Sequence, residues 1–245
     1  MNSHPDNDSP AFATTQWSLV VAAGADDDSR SLARHALEEL CRTYWFPLYA
    51  FVRRRGYSVA DAQDLTQAFF VKFLSLDGFA RADRGRGRFR SYLLGALKNF
   101  LANEWDLVKT QKRGGDLKFL AWDSLKPEAR YTLEPSTVVD LGLEFDRGWA
   151  LETYERATEQ LRSDCKAKGK GELFDALKSC LSGVELDRAK IAERLGLSDG
   201  AVKVSIHRLR QRFREILRAE IGQTVAEPGD VDDEMRHLVA ALRAK

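Results

Sequence analysis

Apolar residues recur along most of this chain at the three- and four-residue spacing of an amphipathic helix. In "DAQDLTQAFFVKFL" (61–74), Leu65, Phe69 and Phe73 share one side, while Phe70, Val71 and Leu74 lie round the back near Gln63 and Gln67. Further on, Leu93, Leu97, Phe100, Leu101, Trp105 and Val108 form an inward stripe. Val202, Ile206, Leu209 and Phe213 form another, at i, i+4, i+7 and i+11. The closing segment "DVDDEMRHLVAALRAK" aligns Val231, Met235, Leu238, Val239 and Leu242. No alternating run bounded by hairpin turns interrupts these patterns, so the fold class predicted is all-α. The spacing predicts helices over 29–54, 60–76, 90–109, 148–166, 172–181, 188–195 and 200–220, ahead of the amphipathic tail.

Where periodicity fails, it marks boundaries. Residues 1–13 are polar and read as disordered. The stretch 113–145 carries glycines and prolines without a clear period and reads as a connection. The expected organisation is two small helical domains, 14–115 and 148–222, joined by an acidic linker over 116–147 and followed by a helical tail over 223–245. A hydrophobic content of 44% suits a chain with a buried core. No run of eighteen apolar residues occurs and the N-terminus is polar, so neither a membrane span nor a secretory signal is expected. Cys41, Cys165 and Cys180 are far apart and in no C-x-x-C pair, which suits thiols in a reducing cytoplasm.

Net charge is only +1, but its distribution is uneven. Over 81–113, nine Lys/Arg stand against three Asp/Glu; over 187–218, nine stand against four; over 123–159, four stand against nine. Two basic segments flanking an acidic one suit two polyanion contacts held on one chain, or else a solvated helical surface with chance clustering.

The second basic segment has a specific local pattern, "DRAKIAERLGLSDGAVKVSIHRLRQRF". Ile191, Ala192 and Leu195 make the inner face of one helix, Gly196 supplies the left-handed turn that ends it, Leu197 plugs the angle, and Ser198 caps the next helix. Ala192, Gly196 and Val202 keep the spacing at which a helix-turn-helix needs a small residue, a turn glycine and a core aliphatic. With Val202 inward, the opposite face carries Gly200, Val204, His207 and Gln211, flanked by Lys203, Arg208 and Arg214. Side chains early on such a face reach base edges, and later arginines neutralise phosphates. A plain helical hairpin with a solvated basic face is the alternative.

The first basic segment interleaves arginines with aromatics: a loop over 79–90 holds Arg86 and Arg88 between Phe79 and Phe89. That mixture suits single-stranded nucleic acid, whose bases stack on rings while cations follow the backbone. The face away from Leu97 holds Arg88, Gly95, Asn99, Asn103 and Asp106, with Tyr92 at its edge. Core packing is the competing use for these aromatics. The helix of residues 61–74 is apolar nearly all round, so it is either enclosed or offers a second face to a protein partner.

Taken in order, "DAQDLTQAFFVKFL", the Arg/Phe loop, "FRSYLLGALKNFLANEWDLVKTQKRGG" and "KIAERLGLSDGAVKVSIHRLRQRFREIL" resemble a bacterial RNA polymerase sigma factor of the sigma-70 family, extracytoplasmic-function subfamily. The resemblance covers about 15–115 and 148–225. It implies that Gln63, Asp64, Gln67 and Phe70 dock on core RNA polymerase. It implies that Phe79, Arg86, Arg88, Phe89 and Asn99 melt and read the minus-ten element as a strand. Ser198, Gly200, Lys203, Val204, His207, Arg208 and Gln211 would read the minus-thirty-five element as duplex. Gln63-Asp64 stands where that family commonly has an acidic pair, and the long connection and tail are similar to longer planctomycete-like variants. An anti-sigma factor or a Ser/Thr kinase is the kind of regulator such variants imply.

The function expected is therefore promoter-directed transcription initiation by a cytoplasmic binding protein, with core polymerase and promoter DNA as partners and no cofactor. The runner-up is an ordinary helix-turn-helix regulator that binds DNA unaided, usually as a dimer. No Walker-type Gly-Lys-Ser/Thr, no G-x-S-x-G and no His pair at metal spacing occurs, and His4, His35, His207 and His237 are scattered, so no enzyme is expected.

Overall fold

The computed structural model of the chain describes residues 27–73, 88–108, 131, 140–225 and 229–244. The elements in order are α1 (Asp27–Arg54), α2 (Val59–Phe73), α3 (Phe89–Val108), α4 (Leu141–Ala167), α5 (Gly171–Leu177), a 3-10 turn (Lys178–Ser182), α6 (Arg188–Leu195), α7 (Asp199–Gly222) and α8 (Asp230–Arg243). The fold is all-helical, as the periodicity predicts. Among the described residues the sole extended pairing is an isolated antiparallel bridge between Arg88 and Val225.

Local chemistry sets the helix ends. Gly56 takes φ +93° after α1. Ser58 then caps α2: its hydroxyl accepts the Asp61 N–H at 3.1 Å and donates to the Asp61 carboxylate at 2.6 Å. The α4 helix begins at Leu141 rather than at 148, because Asp140 accepts the Gly142 N–H at 2.7 Å and caps an earlier turn. That turn was obscured in the pattern by Gly142 and by an exposed Leu143.

α1 and α4 are the central elements. α1 packs on α2, α3 and, most extensively, α4; α4 also touches α5, α7 and α8. A Cβ at Gly148 would stand 3.6 Å from Cα of Pro47, so the two backbones approach closely where α1 carries its interior proline. Tyr44, Leu48, Tyr49, Phe51 and Val52 of α1 are buried beside Phe145 and Trp149 of α4. Where they meet, Arg54 pairs with the buried Glu144 at 3.1 Å. α4 thus carries contacts from the first helices at its start and to α7 further along. The connection of residues 116–139, apart from Tyr131, and the N-terminal residues 1–13 lie outside the described residues.

α8 folds back onto α4 and α7. Its buried positions are Val231, Glu234, Leu238 and Ala241. Glu234 therefore stands within the stripe that the sequence assigned to apolar residues alone, and Val239 faces outward. The three cysteines are free thiols, and burial raises each above its ordinary value, most strongly for Cys41. No helix among the described residues is long and apolar enough to cross a membrane.

Candidate nucleic-acid interface

The turn between α6 and α7 follows its sequence closely. Asp187 caps α6 by accepting the Lys190 N–H at 3.3 Å. Gly196 ends it at φ +62°, ψ +34°, and the Leu197 N–H returns to the Ala192 carbonyl at 2.9 Å. A side chain at that φ would cost roughly 1–2 kcal/mol in backbone strain alone. Ser198 accepts the Ala201 N–H at 3.2 Å and starts α7. Val202, Leu209 and Phe213 are buried along one face, with Ile206 half-buried; Ile191 is buried across from them, with Ala192 and Leu195 half-buried. Leu197, expected to plug the angle, is 38% exposed, whereas Ile191 and Val202 are buried.

The outward face of α7 brings the expected residues together. Gly200, Lys203, Val204, His207, Arg208 and Gln211 are all exposed. Val204 at 48% is an apolar side chain set among cations, which suits contact with a thymine methyl. Gln211 donates to Glu215 at 3.4 Å.

The cations of α7 divide by task. Arg210 donates to the Cys180 carbonyl at 3.3 Å and fastens α7 to the 3-10 turn. Arg212 donates to Asp164 of α4 at 2.9 Å and to Glu215 at 3.2 Å. Its hydrogen bond, together with that of Gln160, holds the Asp164 carboxyl below the usual carboxylate range. Arg218 pairs with Asp232 of α8. The charge count over 187–218 includes all of these without distinguishing those held by the fold. It missed Lys168 and Lys170 on the α4–α5 turn, which line one groove with Arg208 and Arg212 and carry the basic surface beyond α7. Composition gave no signal for them, since their neighbourhood is made only by folding.

The first basic segment is arranged differently from expectation. Phe79 and Arg86 lie outside the described residues. Asn99 is exposed on α3 with Gly95 and Asn103. Phe89 is 0% exposed, its ring edge-on to Tyr44 at 5.1 Å and to Phe73 at 6.4 Å. It is a core residue here, with no ring face open to solvent. Arg88 is half-buried and pairs with Glu234 of α8 at 3.1 Å.

Arg90, the last residue of the expected 79–90 loop, is buried and touches Glu234 and Asp146 at 2.5 Å each. Its guanidinium lies over the Trp149 ring, 5.2 Å from the centroid. Burial works to lower it, but the Glu234 hydrogen bond and the charges of Glu234 and Asp146 outweigh that and hold it above its ordinary value. His237 closes the cluster at 2.9 Å from Asp146.

On α2, Asp64 is exposed and Gln63 and Gln67 are half-buried along the outer side. Phe70 is 1% exposed, against Phe69 at 5.4 Å and Trp45 at 5.7 Å. In this structure α1 encloses α2 on the Phe70 side, so Phe70 offers no exposed surface to a partner. No protein-family model, no curated protein and no solved structure matches this chain.

The exposed α7 face leads to a prediction separable from folding. Lys203→Ala and Arg208→Ala should leave thermal unfolding unchanged while weakening duplex binding. A lost base contact weakens it by about 1–3 kcal/mol, and a lost phosphate contact lowers the salt slope by about one. Fluorescence anisotropy across a salt series measures both.

Proposed function

We propose that this chain is a sigma-type transcription initiation factor, which binds core RNA polymerase and directs it to particular promoters. The observation that carries the reading is the α6–turn–α7 unit: a glycine turn, a capped second helix and an outward face holding Lys203, Val204, His207, Arg208 and Gln211. Such a face suits the major groove of duplex DNA. Exposed Asn99 on α3 and the arginine-rich segment before it suit a second contact, to an unpaired strand. Gln63, Asp64 and Gln67 on the outer side of α2 are the polymerase-facing residues under this reading.

Burial of Phe70 and Phe89 favours a second reading, a helix-turn-helix regulator that needs no polymerase contact. Incubating the purified chain with bacterial core polymerase and a promoter library separates the two. Chain-dependent, promoter-dependent transcripts support the sigma reading. Tight binding of the free chain to a palindromic duplex, with no effect on the polymerase, overturns it.

A further inference from the structure

α8 opens with four acids in five residues, Asp230, Asp232, Asp233 and Glu234, and it lands on arginines from both basic segments. Asp232 pairs with Arg218 of α7. Glu234 pairs with Arg90 at 2.5 Å and with Arg88 at 3.1 Å, at the start of α3. The turn before α8 adds backbone contacts to the same place: the Phe89 N–H donates to the Thr224 carbonyl at 3.2 Å, and Arg88 bridges Val225. One short helix thus holds side chains of both surfaces.

We propose that α8 is an internal acidic clasp. In the free chain Glu234 and Asp232 occupy Arg88 and Arg218, so nucleic acid competes with α8 for these arginines. The proposal rests on the reading of Arg88 and α7 as nucleic-acid contacts. Carboxylates occupying guanidinium groups present the charge and the paired oxygens that a phosphate would present.

The chemistry suits a contact that opens. Separating a buried pair returns both charges to water, and that regained hydration offsets part of the attraction lost on opening. When α8 leaves, Arg90 keeps Asp146 beside it and Glu234 returns to solvent. The apolar part of the contact is Val231, Leu238 and Ala241, with Met235 and Leu242 half-buried beside them, and Glu234 interrupts it. Rigid attachment would place a large hydrophobe at 234, where this chain has a carboxylate.

Two measurements on the full-length chain test the clasp. The first compares E234Q with the unsubstituted protein for binding a single-stranded oligonucleotide of mixed sequence and a duplex of the same sequence. E234Q should bind the strand roughly fivefold or more tightly, as expected when a competing state is removed, with a salt slope steeper by about one for Arg88 released. The second follows amide hydrogen exchange over 230–243 in the unsubstituted chain, so it does not depend on how E234Q folds. Protection there should fall when the oligonucleotide binds.

Equal affinities together with unchanged α8 protection on binding overturn the proposal and make α8 a fixed strut. If neither protein binds strand or duplex at any salt concentration, the nucleic-acid reading itself fails, and the clasp with it.

Discussion

Arg90→Met should destabilise the protein by about 3 kcal/mol, the lower end of the range for removing one partner of a buried ion pair. The substitution leaves Glu234, 1% exposed, facing a thioether, and takes the 2.5 Å contact from Asp146 as well. The loss sits at the lower end because Arg88 still reaches Glu234 and His237 still reaches Asp146. The double variant Arg90→Met/Glu234→Leu should recover most of the loss, because no isolated buried charge then remains. Urea midpoints at constant m report both. A loss within about 0.5 kcal/mol, the range of ordinary surface changes, would mean that the cluster is solvated and places no demand on the fold.

Phe89→Ala should cost about 3–5 kcal/mol of stability, the range for removing a large aromatic from a packed core. Its ring is fully buried and packs edge-on against Tyr44 and Phe73. Phe89→Leu should recover part of that loss by refilling the volume. A base-stacking role would give the opposite outcome: stability intact, and about 1–3 kcal/mol lost from single-strand binding. Thermal unfolding and strand affinity, measured on both variants, distinguish the two.

The parts of this molecule legible in its sequence are those fixed by neighbours along the chain. The α6 turn is the clearest case, since Gly196, Ser198 and the Val202 stripe act within a few residues of one another. Phe89 and Phe70 are buried for reasons their local sequence does not carry: an aromatic beside arginines suits a strand-binding loop and a core equally, and a helix apolar nearly all round suits enclosure and a partner face equally. Their burial comes from the packing of α1, α2 and α3, which no local pattern contains. The Glu234 cluster was invisible because its partner Arg90 lies 144 residues away. A lone carboxylate beside Met235 reads as solvated until a buried arginine is found opposite it. The α7 arginines illustrate the same limit. Arg208 and Arg212 carry one charge each, yet only Arg212 is held by Asp164, on a helix the local pattern cannot place.

Permanganate reactivity on promoter DNA tests the central claim most directly. Promoter fragments selected by core polymerase in the presence of this chain would be probed with the chain alone, with core alone, and with both. The sigma reading predicts unpaired, reactive thymines upstream of the start point only when both proteins are present, and loss of that signal with Asn99→Ala. Reactivity that is the same with core polymerase alone, or absent from every fragment while the free chain binds duplex tightly, would contradict it.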